Sequence, residues 1–179
     1  MRLNYLCLIL LLFVTACASD YGNSAAEQRF ISLRHPQSGE MVAVTYVQHY
    51  HYNSAAMGQI NQIFRDRHNG EVTDIDPKLI DFIVDLRERI GLPETVMFDI
   101  TSGYRSPETN AMLARSDRSV ARESWHTKGK AVDMRVPAMT GKAMAEIAKT
   151  MQRGGVAYYP KTGHVHIDTG GVRTWQAPQ

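Results

Sequence analysis

The sequence has almost no cysteine: of 179 residues, only Cys7 and Cys17 carry a thiol. Two cysteines cannot build the framework of a disulfide-stapled secreted domain, so the core must hold by packing alone. Excess charge is missing too. The net charge is +2, and no Lys/Arg run is interleaved with aromatics. This excludes a nucleic-acid binder that works by displacing counterions from a basic face. No internal repeat is present, and no stretch marks a protein partner. Finally, no apolar run approaches the roughly 20 residues of a comfortable membrane span. What remains is a chain with 44% apolar residues. That is enough for a real core and too much for a disordered segment, and the length suits one domain plus an export segment.

The apolar run Leu8 to Val14 follows a short n-region carrying Arg2. This is the layout of a signal-peptide h-region. Two cleavage readings stay open. Val14-Thr15-Ala16-Cys17 is the pattern of a bacterial lipobox, with Cys17 as the lipidated first residue. Ala16-Cys17-Ala18 is also the small-x-small site of an ordinary leader. A partnerless thiol in an oxidising compartment favours lipidation at Cys17. The expected organisation is a leader over residues 1–16, a small polar tether over 17–28 and one domain over 29–179. The protein is then exported to the periplasm and held at a membrane through the lipid on Cys17.

Within the domain, alternating apolar residues over Arg29–Arg34 and the β-branched run Met41–Val47 predict a hairpin around Pro36–Gly39. Asn53 caps a helix with Met57, Ile60 and Phe64 on one face. Asp76-Pro77 opens a second helix whose stripe is Leu79, Ile83, Leu86 and Ile90, stopped by Gly91 and Pro93. Val96–Thr101 reads as a strand, Ser106-Pro107 opens a short helix through Leu113, and 115–123 reads as a polar loop. Ala131–Val136 fits a strand, Thr140 caps a helix, and Val156–Tyr159 with His164–Thr169 make a final strand pair. Trp175 in the tail packs back on the domain. Strands and helices do not alternate strictly, so the expectation is an α+β domain with a small antiparallel sheet flanked by helices.

Chemistry concentrates in two stretches. The first is Ser124-Trp125-His126-Thr127-Lys128-Gly129-Lys130-Ala131-Val132-Asp133; the second is Gly163-His164-Val165-His166-Ile167-Asp168. On a strand, His164, His166 and Asp168 point to one side, roughly 6.6 Å apart in succession. One of them can then bind a metal while a neighbour acts on water. The six residues between His126 and Asp133 allow a loop that turns back into a strand, with Gly129 at the turn. One divalent ion could collect a histidine, a carboxylate and a histidine from these stretches, as catalytic zinc does. His49-Tyr50-His51 has the same spacing but no carboxylate motif, and reads as exposed.

The pattern Ser124-x-His126-x-x-Gly129-x-Ala131-x-Asp133 with the distal Val165-His166-Ile167-Asp168 resembles the M15 metallopeptidases. That group includes D-alanyl-D-alanine peptidases, lysostaphin-like enzymes and hedgehog domains, and the K-type murein endopeptidases are most similar. Ser102-Gly103-Tyr104-Arg105-Ser106, Gly154-Gly155-Val156 and His166-Ile167-Asp168-Thr169-Gly170 extend the resemblance, which covers about Ile31 to Trp175. It implies a zinc site like that of hedgehog domains and D-Ala-D-Ala peptidases, with His126, Asp133 and His166 as ligands of Zn²⁺. It implies Arg105 as the group that stabilises the transition state or clamps a substrate carboxylate. By position His164 is the base. Asp168 is either an assisting carboxylate or the partner of a ligand histidine. Tyr104 and Ser124 are expected to line the pocket, and Trp125 to pack. The implied substrate is the peptidoglycan stem peptide, cut at its cross-links, either meso-diaminopimelate to meso-diaminopimelate or D-alanine to meso-diaminopimelate. A carboxypeptidase that trims stems and a zinc-bearing binding module are the competing readings.

Overall fold

The computed structural model describes residues 28–117 and 120–176. The expected leader, Cys17 and nearly all of the expected tether lie outside the described residues. Gln28, the last expected tether residue, is instead the first residue of a strand.

Strands β1 (Gln28–Arg34) and β2 (Met41–Gln48) form the expected antiparallel hairpin, with Leu33 opposite Val42. The two-residue β3 (His51–Tyr52) pairs with the far edge of β2. Helix α1 (Ser54–Phe64) starts where the Asn53 side chain accepts from the Ala56 N–H. Helix α2 (Pro77–Ile90) starts at Asp76, whose carboxylate accepts from Lys78 N–H, and stops at Gly91 in the left-handed conformation. Both helices cross over one face of the sheet before the chain enters β4 (Phe98–Ser102). Helix α3 (Pro107–Ser116), capped by Ser106, runs one turn beyond the expected Leu113. Strand β5 (Ala131–Arg135) follows, then α4 (Gly141–Thr150), β6 (Gly155–Tyr159), β7 (His164–Asp168) and β8 (Arg173–Gln176).

Among the described residues these strands form one sheet in the order β3-β2-β1-β4-β5-β7-β6-β8. The α+β class is as expected, but the sheet is neither small nor purely antiparallel. β4 runs parallel to β1, and β8 runs parallel to β6. The first difference has a topological cause. The helical crossover from residue 53 to 97 returns the chain to the same end of the sheet, and such a return generates a parallel neighbour. The second comes from the tail, which packs back on the domain by adding a strand beside β6. Among the described residues, no helix is long and apolar enough to cross a membrane.

The two-residue period of the strands divides their labour. Val132 and Met134 of β5, and Val165 and Ile167 of β7, are buried in the cluster that also holds Ile60, Phe64, Phe82, Ile83 and Met144 of the helices. The intervening residues, Asp133 on β5 and His164, His166 and Asp168 on β7, belong to the opposite face. A well-filled core thus fixes the backbone from which the polar groups project. Phe82 is fully buried at its centre. Phe82→Ala should cost about 3–5 kcal/mol of unfolding free energy in a urea titration. Activity per folded molecule should stay unchanged.

Candidate metal centre and its groove

Pairing register brings the second half of the site together. In the antiparallel pair of β5 and β7, Asp133 lies directly opposite His166. His126 arrives from a 3-10 turn, Trp125–Lys128, whose start is capped by Ser124 Oγ accepting from His126 N–H. The turn closes at Gly129, which has a φ of 63°. There a Cβ would also press on the Asp74 carbonyl, so glycine is required both for conformation and for space. Arg105 N–H donates to the His126 carbonyl at 3.3 Å, fastening the end of β4 to this turn.

Among the described residues, His126, Asp133 and His166 are the group that could hold a metal ion, and all three are buried. Their outward hydrogen bonds decide which atoms face inward. His126 Nδ1 is 2.6 Å from the Gly103 carbonyl, which only an N–H can satisfy. His166 Nε2 is 2.9 Å from Asp168 Oδ2. The remaining nitrogens, His126 Nε2 and His166 Nδ1, are then bare in the neutral rings, and they face one another at 3.2 Å. Asp133 Oδ1 completes the triangle, 2.9 Å from His166 Nδ1 and 3.3 Å from His126 Nε2. Three converging lone pairs repel unless a cation lies among them. Tetrahedral zinc with ligands at 2.0–2.2 Å separates its donors by about 3.3–3.6 Å. The observed triangle, at 2.9–3.3 Å, is tighter than that spacing by up to about 0.4 Å, and its two-imidazole, one-carboxylate chemistry fits such an ion.

The surrounding charges act differently on the three groups. Burial lowers the affinity of His126 for a proton, although Asp133 partly opposes it. Burial would raise the Asp133 carboxyl, but the neighbouring His126 and His166 hold it well below the usual carboxylate range. Burial would lower His166, yet its hydrogen bonds to Asp133 and Asp168 raise it.

Asp168 is itself fully enclosed. It accepts from Gly155 N–H, Gly170 N–H and both terminal nitrogens of Arg173, at 2.7–3.1 Å. It touches the cluster only through His166. Of its two expected roles, this geometry matches the orienting carboxylate behind a ligand histidine. Gly155 must be glycine because a Cβ would overlap Asp168 Oδ2 and the Arg173 guanidinium. Gly155→Ala should displace that carboxylate and weaken zinc affinity by about 10- to 100-fold in a chelator competition. The circular dichroism spectrum should not change.

A groove of about 690 Å³ opens above the cluster. Its lining includes Ser124, Trp125, Tyr159 to Thr162, His164, Arg173 and Trp175. Arg105 reaches in from the end of β4, its Nε donating to Ser102 Oγ at 2.9 Å and its Nη2 to Asp133 Oδ2 at 2.8 Å. The guanidinium therefore forms a salt bridge with a cluster member and also borders the groove. His164 stands beside the cluster, its Nε2 4.0 Å from Asp133 Oδ2. That nitrogen is buried with no hydrogen-bond partner among the described residues. Burial also lowers the proton affinity of His164.

Tyr104 corrects an expectation. It does not line the groove: its hydroxyl donates to Glu71 Oε1 at 2.8 Å on the other side of the segment. Burial, reinforced by that carboxylate, pushes the phenol up to about 12. Neighbours in extended chain face opposite ways, so placing Arg105 toward the groove turns Tyr104 from it. Ser124 does line the groove, and Trp125 both packs on Gly170 and borders it. His49 and His51 are exposed on the far side of the sheet order from the cluster. The structure adds residues that the motifs did not reveal: the Gly103 carbonyl, Tyr159, Thr162, Arg173 and Trp175. The Trp175 ring lies 5.1 Å from that of His166.

Residues 23–175 match the family described as peptidoglycan L,D-endopeptidase MepK, an M15 peptidase family. The chain is 32% identical over 153 residues to the probable peptidoglycan L,D-endopeptidase MepK of Haemophilus influenzae, covering 86% of this chain and 82% of that one. It is 34% identical over 152 residues to the peptidoglycan L,D-endopeptidase MepK of Escherichia coli K12, covering 85% and 82%. No solved structure matches.

Proposed function

The chain belongs to the M15 peptidase family described as peptidoglycan L,D-endopeptidase MepK, and from that premise we propose that it is a zinc-dependent murein endopeptidase. Its bond is the L,D cross-link between stem peptides, a reading supported by its relatives, which are peptidoglycan L,D-endopeptidases. The observation that carries the zinc assignment is the convergence of His126 Nε2, His166 Nδ1 and Asp133 Oδ1 beneath the groove.

When bound by these three residues, zinc supplies Lewis-acid polarisation of the scissile carbonyl and lowers the pKa of its water toward 7. His164, whose Nε2 is buried beside the cluster with no hydrogen-bond partner among the described residues, takes the proton of the attacking water and returns it to the departing amine. Arg105 is held in place by Ser102 and Asp133, so its charge is preorganised for the negative carbonyl oxygen or a substrate carboxylate. Asp168 acts through His166, fixing which nitrogen faces the centre. Ser124 and Trp125 line the groove that takes the substrate. Glu123 and Lys161, both in the groove lining, are exposed to solvent. This favours a substrate that continues past the cut bond over a closed carboxypeptidase pocket.

We assign the protein to the periplasm, anchored by a lipid on Cys17. The mass of the mature N-terminus tests that assignment against cleavage at the ordinary leader site. The activity is tested with purified L,D-linked muropeptide dimers, D,D-linked dimers and uncross-linked monomers, with products identified by mass. The expected result is monomers released from the L,D-linked dimer. Trimmed monomers beside intact dimers would make the protein a carboxypeptidase. Binding to peptidoglycan without any product would make it a zinc-bearing module.

A further inference from the structure

Three carboxylates line the groove: Asp117, Glu123 and Asp133. Asp133 belongs to the metal cluster, and Asp117 has an interaction partner of its own. Glu123 is exposed and makes no hydrogen bond or ion pair among the described residues. The cations of the lining leave it alone. Arg105 is tied to Asp133 and Arg173 to Asp168, and Lys161 makes no ion pair among the described residues. The backbone that carries Glu123 is nevertheless held from both sides. Asn110 of α3, only 1% exposed, donates from Nδ2 at 3.0 Å to the Ala121 carbonyl and at 3.0 Å to the Arg122 carbonyl. On the other side, Thr127 Oγ1 donates to the Ser124 carbonyl at 2.7 Å, within the turn that delivers His126. An uncommitted carboxylate on a held backbone is preorganised for a cation that the substrate brings.

We propose that Glu123 is a specificity residue that binds the free ammonium of the diamino acid whose carbonyl is cut. The inference rests on the endopeptidase reading. In a cross-link between two diaminopimelates, one supplies the carbonyl and the other the nitrogen. The first keeps its side-chain amine, which is charged at neutral pH like that of lysine. In a D,D cross-link the carbonyl belongs to D-alanine, which has no ammonium, and the diamino acid of that stem stands one residue further from the bond. A carboxylate placed for the nearer ammonium therefore separates the two linkages.

The test uses the zinc-loaded mature chain and two L,D-linked disaccharide tripeptide dimers, one unmodified and one acetylated on its single primary amine. Acetylation should raise KM of the wild type about tenfold, the scale of one charge-assisted hydrogen bond. Glu123→Gln should raise KM for the unmodified dimer by the same factor, with kcat within about twofold and zinc per chain unchanged. For that variant, acetylation should change KM by no more than about twofold. A wild type that treats both dimers alike, or a Glu123→Gln protein that still prefers the free amine as wild type does, overturns the proposal while the endopeptidase reading stands. A wild type that cuts neither dimer fails that reading, and the proposal with it.

Discussion

Replacing His166 with alanine should lower kcat/KM for the L,D-linked dimer by about 10³-fold or more, with the fold retained. His166 contributes one of the three converging donor atoms, and its loss leaves His126 Nε2 and Asp133 Oδ1 as a two-donor site. Metal chemistry of this kind supplies several kcal/mol of transition-state stabilisation, and each 1.4 kcal/mol is about tenfold in rate. Zinc per chain, measured by elemental analysis after gel filtration, should fall to near zero. The far-ultraviolet circular dichroism should match wild type, because Val165 and Ile167, which anchor β7 in the core, are untouched. His126→Ala should behave the same way. A His166→Ala protein that bound stoichiometric zinc and cut the dimer normally would show that the triangle is not the metal centre.

Changes at Asp168 should have the next largest effect, and two substitutions separate its roles. Asp168→Ala removes the acceptor for two backbone N–H groups, for Arg173 and for His166. Each stranded buried donor costs about 1–3 kcal/mol. Arg173 is partly exposed and can turn to water. The expected loss of stability is therefore about 3 kcal/mol, near the low end for breaking a buried pair. Asp168→Asn keeps the size and one carbonyl oxygen, so it should retain more stability. Its amide N–H, however, faces His166 Nε2 and drives the ring proton to Nδ1, the atom that faces the metal. The Asn variant should thus fold and yet bind zinc about 10- to 100-fold more weakly. Urea melts and a chelator competition on the same samples measure the two effects. If Asp168→Asn bound zinc as tightly as wild type, the assigned tautomer of His166 would be wrong.

Much of this molecule is written locally in its sequence. The caps Asn53, Asp76, Ser106 and Thr140 each satisfy a backbone N–H two or three residues away, so they can be read without a fold. His126, Asp133 and His166 stand out because the two-residue period of β7 and the glycine turn at Gly129 are also local. What escaped depends on partners far along the chain. β4 lies beside β1 because of a crossover of more than forty residues, which no local pattern announces. Arg173 looks like a tail residue until β8 adds to β6 and presents it to Asp168. The Gly103 carbonyl, which sets the tautomer of His126, has no side chain to notice. Tyr104 was misjudged because a family string conveys identity but not which of two neighbours faces the groove.

One titration tests the account most directly. Zinc is added back to the chelated chain while monomer release from the L,D-linked dimer is followed by mass. The expected result is no release without metal, then a rate that rises in proportion to zinc and levels off at one ion per chain. The His126→Ala and His166→Ala proteins should stay flat throughout. Full cleavage by the metal-free chain, or a rate indifferent to those two histidines, would contradict it.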